Sequence, residues 1–140
     1  MAFINEENGE ILVFNRHTAR DLAFKYIFQW NVNGRDVAEF TAEAEALDFT
    51  PDDKGYIAQV INGVVEKVEE IDEIIEQLSE KWRKNRISAV CMAVMRIAVY
   101  EIKYMEEIPK SVSINEAVEI AKTYDSPSAS GFVNGILGKL

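Results

Sequence analysis

Cysteine occurs once in the 140 residues, at Cys91, and histidine once, at His17. An internal disulfide has no second sulfur, and a zinc site built from cysteine and histidine has too few ligands. No spaced run of carboxylates with the pattern of a metal loop takes their place, so neither metal nor cofactor is expected. Long apolar runs are missing as well: the longest, Ala89 to Met95, stops at Arg96, far short of a membrane span. The first fifteen residues carry Glu6, Glu7 and Glu10 and no basic start, which is not the pattern of a secretory leader. A nucleophile beside a base, a glycine-rich phosphate loop and a paired-carboxylate site are all lacking. Catalysis is therefore not expected, and the composition suits a reduced, cytoplasmic protein.

Positive charge is scarce, with a formal net charge of −9. A chain this acidic repels polyanions at long range, which argues against indiscriminate nucleic-acid binding. The charge is unevenly spread. Residues 1–80 hold 18 Asp/Glu against 6 Lys/Arg, net −12, whereas residues 81–140 hold 6 against 9, net +3. A local basic surface remains available in the second part.

What is present is helical periodicity. With 48% hydrophobic residues, the length suits one domain with one core. Residues 1–15 form an N-terminal extension in which Asn8-Gly9 separates two short runs, compatible with a small hairpin or a disordered arm. The helical domain is placed at 16–140. Leu22, Ala23, Tyr26, Ile27 and Trp30 share a helical stripe that Asn33-Gly34 ends. Val37, Phe40, Ala44 and Leu47 mark a shorter helix. Thr50-Pro51-Asp52-Asp53 supplies a cap, a proline at the first helical position and acids in the first turn for the next one. Val68, Ile71, Ile74, Ile75, Leu78 and Trp82 trace an amphipathic helix with Glu69, Glu73, Glu76 and Glu80 opposite. From Ile87 to Met105 apolar residues occupy nearly every face, which predicts a central buried helix. Pro109 and the stretch Tyr124 to Pro127 bound a further helix. Asn134-Gly135 is a hairpin signal, yet Phe132, Val133, Ile136, Leu137 and Leu140 keep helical spacing and too few residues follow for a second strand. The last segment is therefore expected to be helical, with Gly135 facing a partner helix. The fold class is all-α: a compact bundle of about seven helices.

Five segments, RHTARDLAFKYIFQW (16–30), EKWRKNRISAV (80–90), MRIAVYEI (95–102), IPKSVSINEAVEIAK (108–122) and FVNGIL (132–137), together resemble the NusB family of bacterial transcription antitermination factors. The resemblance implies two three-helix halves around a long central helix. It also implies an RNA-binding adapter that pairs with NusE, a ribosomal small-subunit protein, binds the single-stranded boxA element of nascent RNA and joins an RNA polymerase complex that resists termination, as in rRNA transcription. A homodimer that hides the RNA surface is an assembly the sequence leaves open.

Carried onto this chain, the resemblance singles out Arg16 and Arg20, four apart at the start of the first helix, for adjacent phosphates, with His17 and Lys25 adding hydrogen bonds or charge. Solvated cations are the alternative. Phe132, after a small loop from Ser126 to Gly131, and Phe28 are rings on which unpaired bases can stack, with Ser128 in the same loop; core packing is the alternative for both rings. The whole arrangement requires the starts of the first and last helices to meet in space. His17 and Thr18 stand where relatives have arginines, and Ser128-Ala129-Ser130-Gly131 lacks the usual acid and basic pair. That favours weaker RNA affinity, and a helical protein-interaction module without RNA binding is the second hypothesis. Glu69, Glu73, Glu76 and Glu80 read as a solvated face or as an attractor of a basic protein partner. Lys81, Arg83, Lys84 and Arg86 around Trp82 form the densest basic patch, read as a complement to a helix C-terminus or as a contact for phosphates. Arg96, in the apolar central helix, needs a buried partner, expected to be Glu101 or Glu116. Cys91, where relatives have an acid, and Met92 are expected to be packing residues.

Overall fold

The structure, a computed structural model, describes residues 2–4, 11–79 and 86–140. Two short strands, β1 (Ala2–Ile4) and β2 (Ile11–Val13), pair antiparallel with Ala2 opposite Val13 and Ile4 opposite Ile11. The Asn8-Gly9 pair lies outside the described residues. Seven helices follow among the described residues: α1 (Arg16–Asn33), α2 (Val37–Glu45), α3 (Pro51–Glu66), α4 (Val68–Ser79), α5 (Ala89–Tyr104), α6 (Lys110–Tyr124) and α7 (Pro127–Leu137).

Each boundary has a local cause. Asn15 caps α1 in a reciprocal box with Thr18, and Gly34 ends it in the left-handed region at φ 67°. Thr50 accepts from the Asp53 N–H at the start of α3, with Pro51 at its first turn and Asp52 and Asp53 at the positive end of the helix dipole. Ser88 accepts from the Cys91 N–H and starts α5. Ser126 does the same for Ala129 and starts α7, where Pro127 fits because the first helical turn needs no N–H from it. This corrects one expectation: Ser128 to Gly131 is the first turn of α7, not a loop.

α5 is the axis of the molecule. Residues 91–101 are all buried, and α1, α3, α4, α6 and α7 pack around them, with α2 against α1 and α3 and with α7 against both α6 and α4. That is three helices on each side of a central one. Burial, not length, makes α5 central, since α1 is two residues longer. The glycine that permits a close approach is Gly63, against the Tyr100 ring, where a Cβ would collide. Gly135 is in a helix as expected, but it is exposed and a Cβ there would meet nothing. The expectation that it faces a partner helix is therefore overturned.

Two buried ion pairs cross the core. Arg96 donates from Nε and Nη2 to the two Asp72 oxygens at 2.8 Å each, tying α5 to α4. Its partner is thus neither Glu101 nor Glu116. Glu101 is taken by Arg20, and Glu116 lies beside the start of α1, against His17 and Arg20.

Candidate nucleic-acid interface

The first two turns of α1 do not present a cluster of free cations. Arg16 donates from Nε to Asp53 Oδ1 at 2.7 Å and lies over the Tyr56 ring, 4.6 Å from its centroid, with 37% of its side chain exposed. The α3 cap thus places acids opposite α1's first arginine. His17 Nδ1 lies 2.7 Å from Glu116 Oε2 on α6, and the ring is 58% exposed. Arg20 is different: its side chain is 4% exposed, Nε and Nη2 donate to Glu101 at 2.8 and 3.2 Å, and Nη1 lies 3.5 Å from Glu116 Oε1.

Glu101 also accepts from the Tyr56 and Ser113 hydroxyls. Burial, and then the Glu101 charge, hold the Tyr56 phenol well above the usual tyrosine range, so it stays a donor. A guanidinium sealed in this network is not available to a phosphate. The expected Arg16–Arg20 grip is corrected on that ground: Arg20 sits on the stripe of Ala23, Phe24 and Ile27 that faces the core, while Arg16 lies one turn outside it.

A second group of residues assembles where α6 turns into α7. The Tyr124 ring lies tilted against Phe24, centroids 5.1 Å apart, and Phe24 in turn lies 6.2 Å from Phe28. The Tyr124 hydroxyl donates to Asp21 Oδ2, and the same carboxylate holds Lys25 Nζ at 3.0 Å, 5.5 Å from the Tyr124 ring centroid. Burial lowers the Lys25 pKa, but the Asp21 hydrogen bond and the Tyr124 contact outweigh it and leave a net upward shift. The next residues of the chain form one wall of a cleft of about 350 Å³ between the starts of α5 and α7. Phe132, Ser128, Asp125, Cys91 and Arg86 line it. Ser88 donates to Asp125 Oδ2 at 2.7 Å, and the Cys91 Sγ lies 3.7 Å from the same oxygen. Burial pushes the Cys91 thiol up, which suits a packing residue better than a redox centre.

The sequence-predicted residues therefore separate. Ser128 and Phe132 share the cleft, and Lys25 and Phe28 adjoin it through Phe24 and Tyr124. Arg16 and His17 stand at the other end of this α1 face. Tyr124 meets α1 at Asp21, Phe24 and Lys25, about 12 Å along the helix from Arg16 at 1.5 Å per residue. The starts of α1 and α7 do not form one cradle; the middle of α1 meets Tyr124, the last residue of α6. Arg86, read from the sequence as either a phosphate contact or a dipole complement, lines the cleft. Its membership in the dense run Lys81, Arg83, Lys84, Arg86 was the available signal. Lys81, Arg83, Lys84 and Glu80 lie outside the described residues, while Glu69, Glu73 and Glu76 are exposed on α4.

The fold and this surface define the class: a seven-helix bundle whose polar residues are spent on core ion pairs and on an open, ring-lined cleft. Comparison with known proteins narrows it. The NusB family model matches residues 17–140, and the chain belongs to that family. It is 36% identical over 134 residues to the transcription antitermination protein NusB of Clostridium novyi, covering 90% of this chain and 97% of the relative. Against the Bacillus cereus NusB it is 41% identical, covering 89% and 95%. Among solved structures, T. maritima NusB superposes with a TM-score of 0.81 at 35% identity, covering 91% of each chain. A structure of antitermination factors NusB and NusE in complex with dsRNA superposes with a TM-score of 0.79 at 28% identity, covering 89% of this chain and 93% of that one. Among the described residues no helix is long and apolar enough to cross a membrane.

Proposed function

We propose that the chain is a transcription antitermination adapter of the cytoplasm, not a catalyst, which binds boxA-type single-stranded RNA together with NusE and joins the RNA polymerase complex. The observation that carries this reading is the Phe132 cleft. An apolar ring, a serine hydroxyl and the Arg86 cation line one opening, and Lys25 with its Tyr124 partner stands beside it. Unpaired bases stack on rings while cations meet the backbone, so this opening suits single-stranded RNA. Arg16 and His17, further along α1, extend the path for the phosphate chain. The partner-facing role is assigned to the exposed glutamates Glu69, Glu73 and Glu76. Because Arg16 and Arg20 are paired with carboxylates, a NusE partner has to contribute part of the RNA surface.

One observation favours a second reading, a protein-interaction module with weak or lost RNA binding: Arg20 is buried on Glu101 and Arg16 is paired with Asp53. Titrating boxA RNA against the chain with and without NusE separates the two. A gain of tenfold or more with NusE supports the adapter; flat RNA titrations in both arms, with NusE still bound, support the module.

A further inference from the structure

Arg96 is the central helix's only charge among residues 89–100, and its bond to Asp72 leaves one nitrogen over. Nε and Nη2 reach the two Asp72 oxygens, while Nη1 is buried with no hydrogen-bond partner. The guanidinium lies 5.8 Å from the Trp30 ring centroid and forms the floor of a depression of about 390 Å³ between α1 and α4. Trp30, Asn31, Glu69, Glu73 and Glu76 make its walls and rim.

The charges of floor and rim differ in sign and in state. Asp72 neutralises Arg96, so the floor offers a hydrogen-bond donor without net charge. Glu69, Glu73 and Glu76 follow one another at i, i+4 and i+7 on one face of α4, about 10 Å from first to last, and form no ion pair among the described residues. An occupant must bring an acceptor to Nη1 and positive charge to the rim. A phosphate or free carboxylate supplies the acceptor but is repelled by three carboxylates. A polyamine supplies the charge but accepts nothing. A peptide supplies both, a main-chain carbonyl for Nη1 and lysine or arginine side chains for the glutamates, with Trp30 as a face for one of the cations.

We propose that this depression seats a lysine- or arginine-bearing segment of a partner protein, with a main-chain carbonyl on Arg96 Nη1 and cationic side chains on Glu69, Glu73 and Glu76. The proposal deepens the partner-facing assignment of these glutamates and rests on it. Its evidence is independent of the RNA cleft, because the buried unpartnered donor and the acid rim belong to α4 and α5 alone.

The test is an NMR titration of the full ¹⁵N-labelled chain, without RNA or NusE, with an acetylated and amidated hexapeptide of alternating lysine and alanine. The Trp30 indole and the Arg96 side-chain signals report occupancy. The expected result is a saturable shift of both, weakened tenfold or more in a Glu73→Gln/Glu76→Gln variant. A Glu106→Gln/Glu107→Gln variant, at another exposed acid pair, stays within twofold of the parent. The proposal is overturned if neither signal moves, or if both variants weaken equally, which would be diffuse charge attraction. It is also overturned if spermine moves the Arg96 signals as strongly as the peptide, since no acceptor would then be needed. Failure here leaves the RNA reading standing, and flat RNA titrations leave this one standing.

Discussion

Arg20 and Glu101 are joined by two hydrogen bonds, Nε to Oε2 at 2.8 Å and Nη2 to Oε1 at 3.2 Å, with both side chains almost sealed from solvent. This pair fastens α1 to the central helix, and its worth lies in not leaving either charge alone. Arg20→Leu strands Glu101 beside the Tyr56 and Ser113 hydroxyls and is expected to cost about 3–5 kcal/mol. Adding Glu101→Gln removes the stranded charge and restores part of the loss. Urea unfolding of both variants checks this; an Arg20→Leu cost below about 1 kcal/mol would contradict the buried pairing.

Alkaline pH is expected to unfasten a different contact. Burial, followed by the Glu43 carboxylate, pushes the Tyr26 phenol from 10.0 up to about 12. Because the folded value is the higher one, the contribution is fully present below pH 10 and is lost as pH rises through about 12. Stability should fall across that window in the parent and fall less steeply in Tyr26→Phe, measured by unfolding at fixed pH values. Parallel pH profiles for the two proteins would show that Tyr26 plays no part.

Two glycines respond oppositely to the same change. Gly63→Ala drives a methyl group into the Tyr100 ring and is expected to cost about 1–3 kcal/mol through overpacking. Gly135→Ala meets open space in a helix and is expected to add up to about 1 kcal/mol. Thermal melts of the two single variants, shifted in opposite directions, are the check.

Helix ends were legible because caps are local. Asn33-Gly34 and Thr50-Pro51 each act through residues within one turn, and the structure keeps both. Ser126-Pro127 carried the same signal, but the small residues that follow, Ser128 to Gly131, read more like a loop than a first turn. The seven-helix architecture was legible because apolar stripes recur at helical spacing. Ion-pair partners were not. A sequence separation of 24 residues between Asp72 and Arg96 says nothing until the helices pack, and helical acids at Glu101 and Glu116 were equally plausible on spacing alone. The buried state of Arg20 did leave a trace, since positions 20, 23, 24 and 27 share one helical face; its four-residue spacing from Arg16 masked that. For the candidate site, Phe132, Ser128, Lys25 and Phe28 were named from residue type and resemblance. Arg86 and Tyr124 needed the turn between α6 and α7 to bring them in.

The most direct measurement is the affinity for boxA RNA, in the presence of NusE and across a series of salt concentrations, of the parent, Phe132→Leu and Lys25→Ala/Arg86→Ala. Leucine keeps the apolar volume at Phe132 but offers no ring, so loss of one stacked base is expected to weaken binding by about 1–3 kcal/mol, roughly 5- to 150-fold. If Lys25 and Arg86 each meet one phosphate, as proposed, removing both is expected to lower the slope of log affinity against log salt by about 1.4. Parent-like affinity for Phe132→Leu together with an unchanged salt slope for the double variant would contradict the assignment of RNA to this cleft.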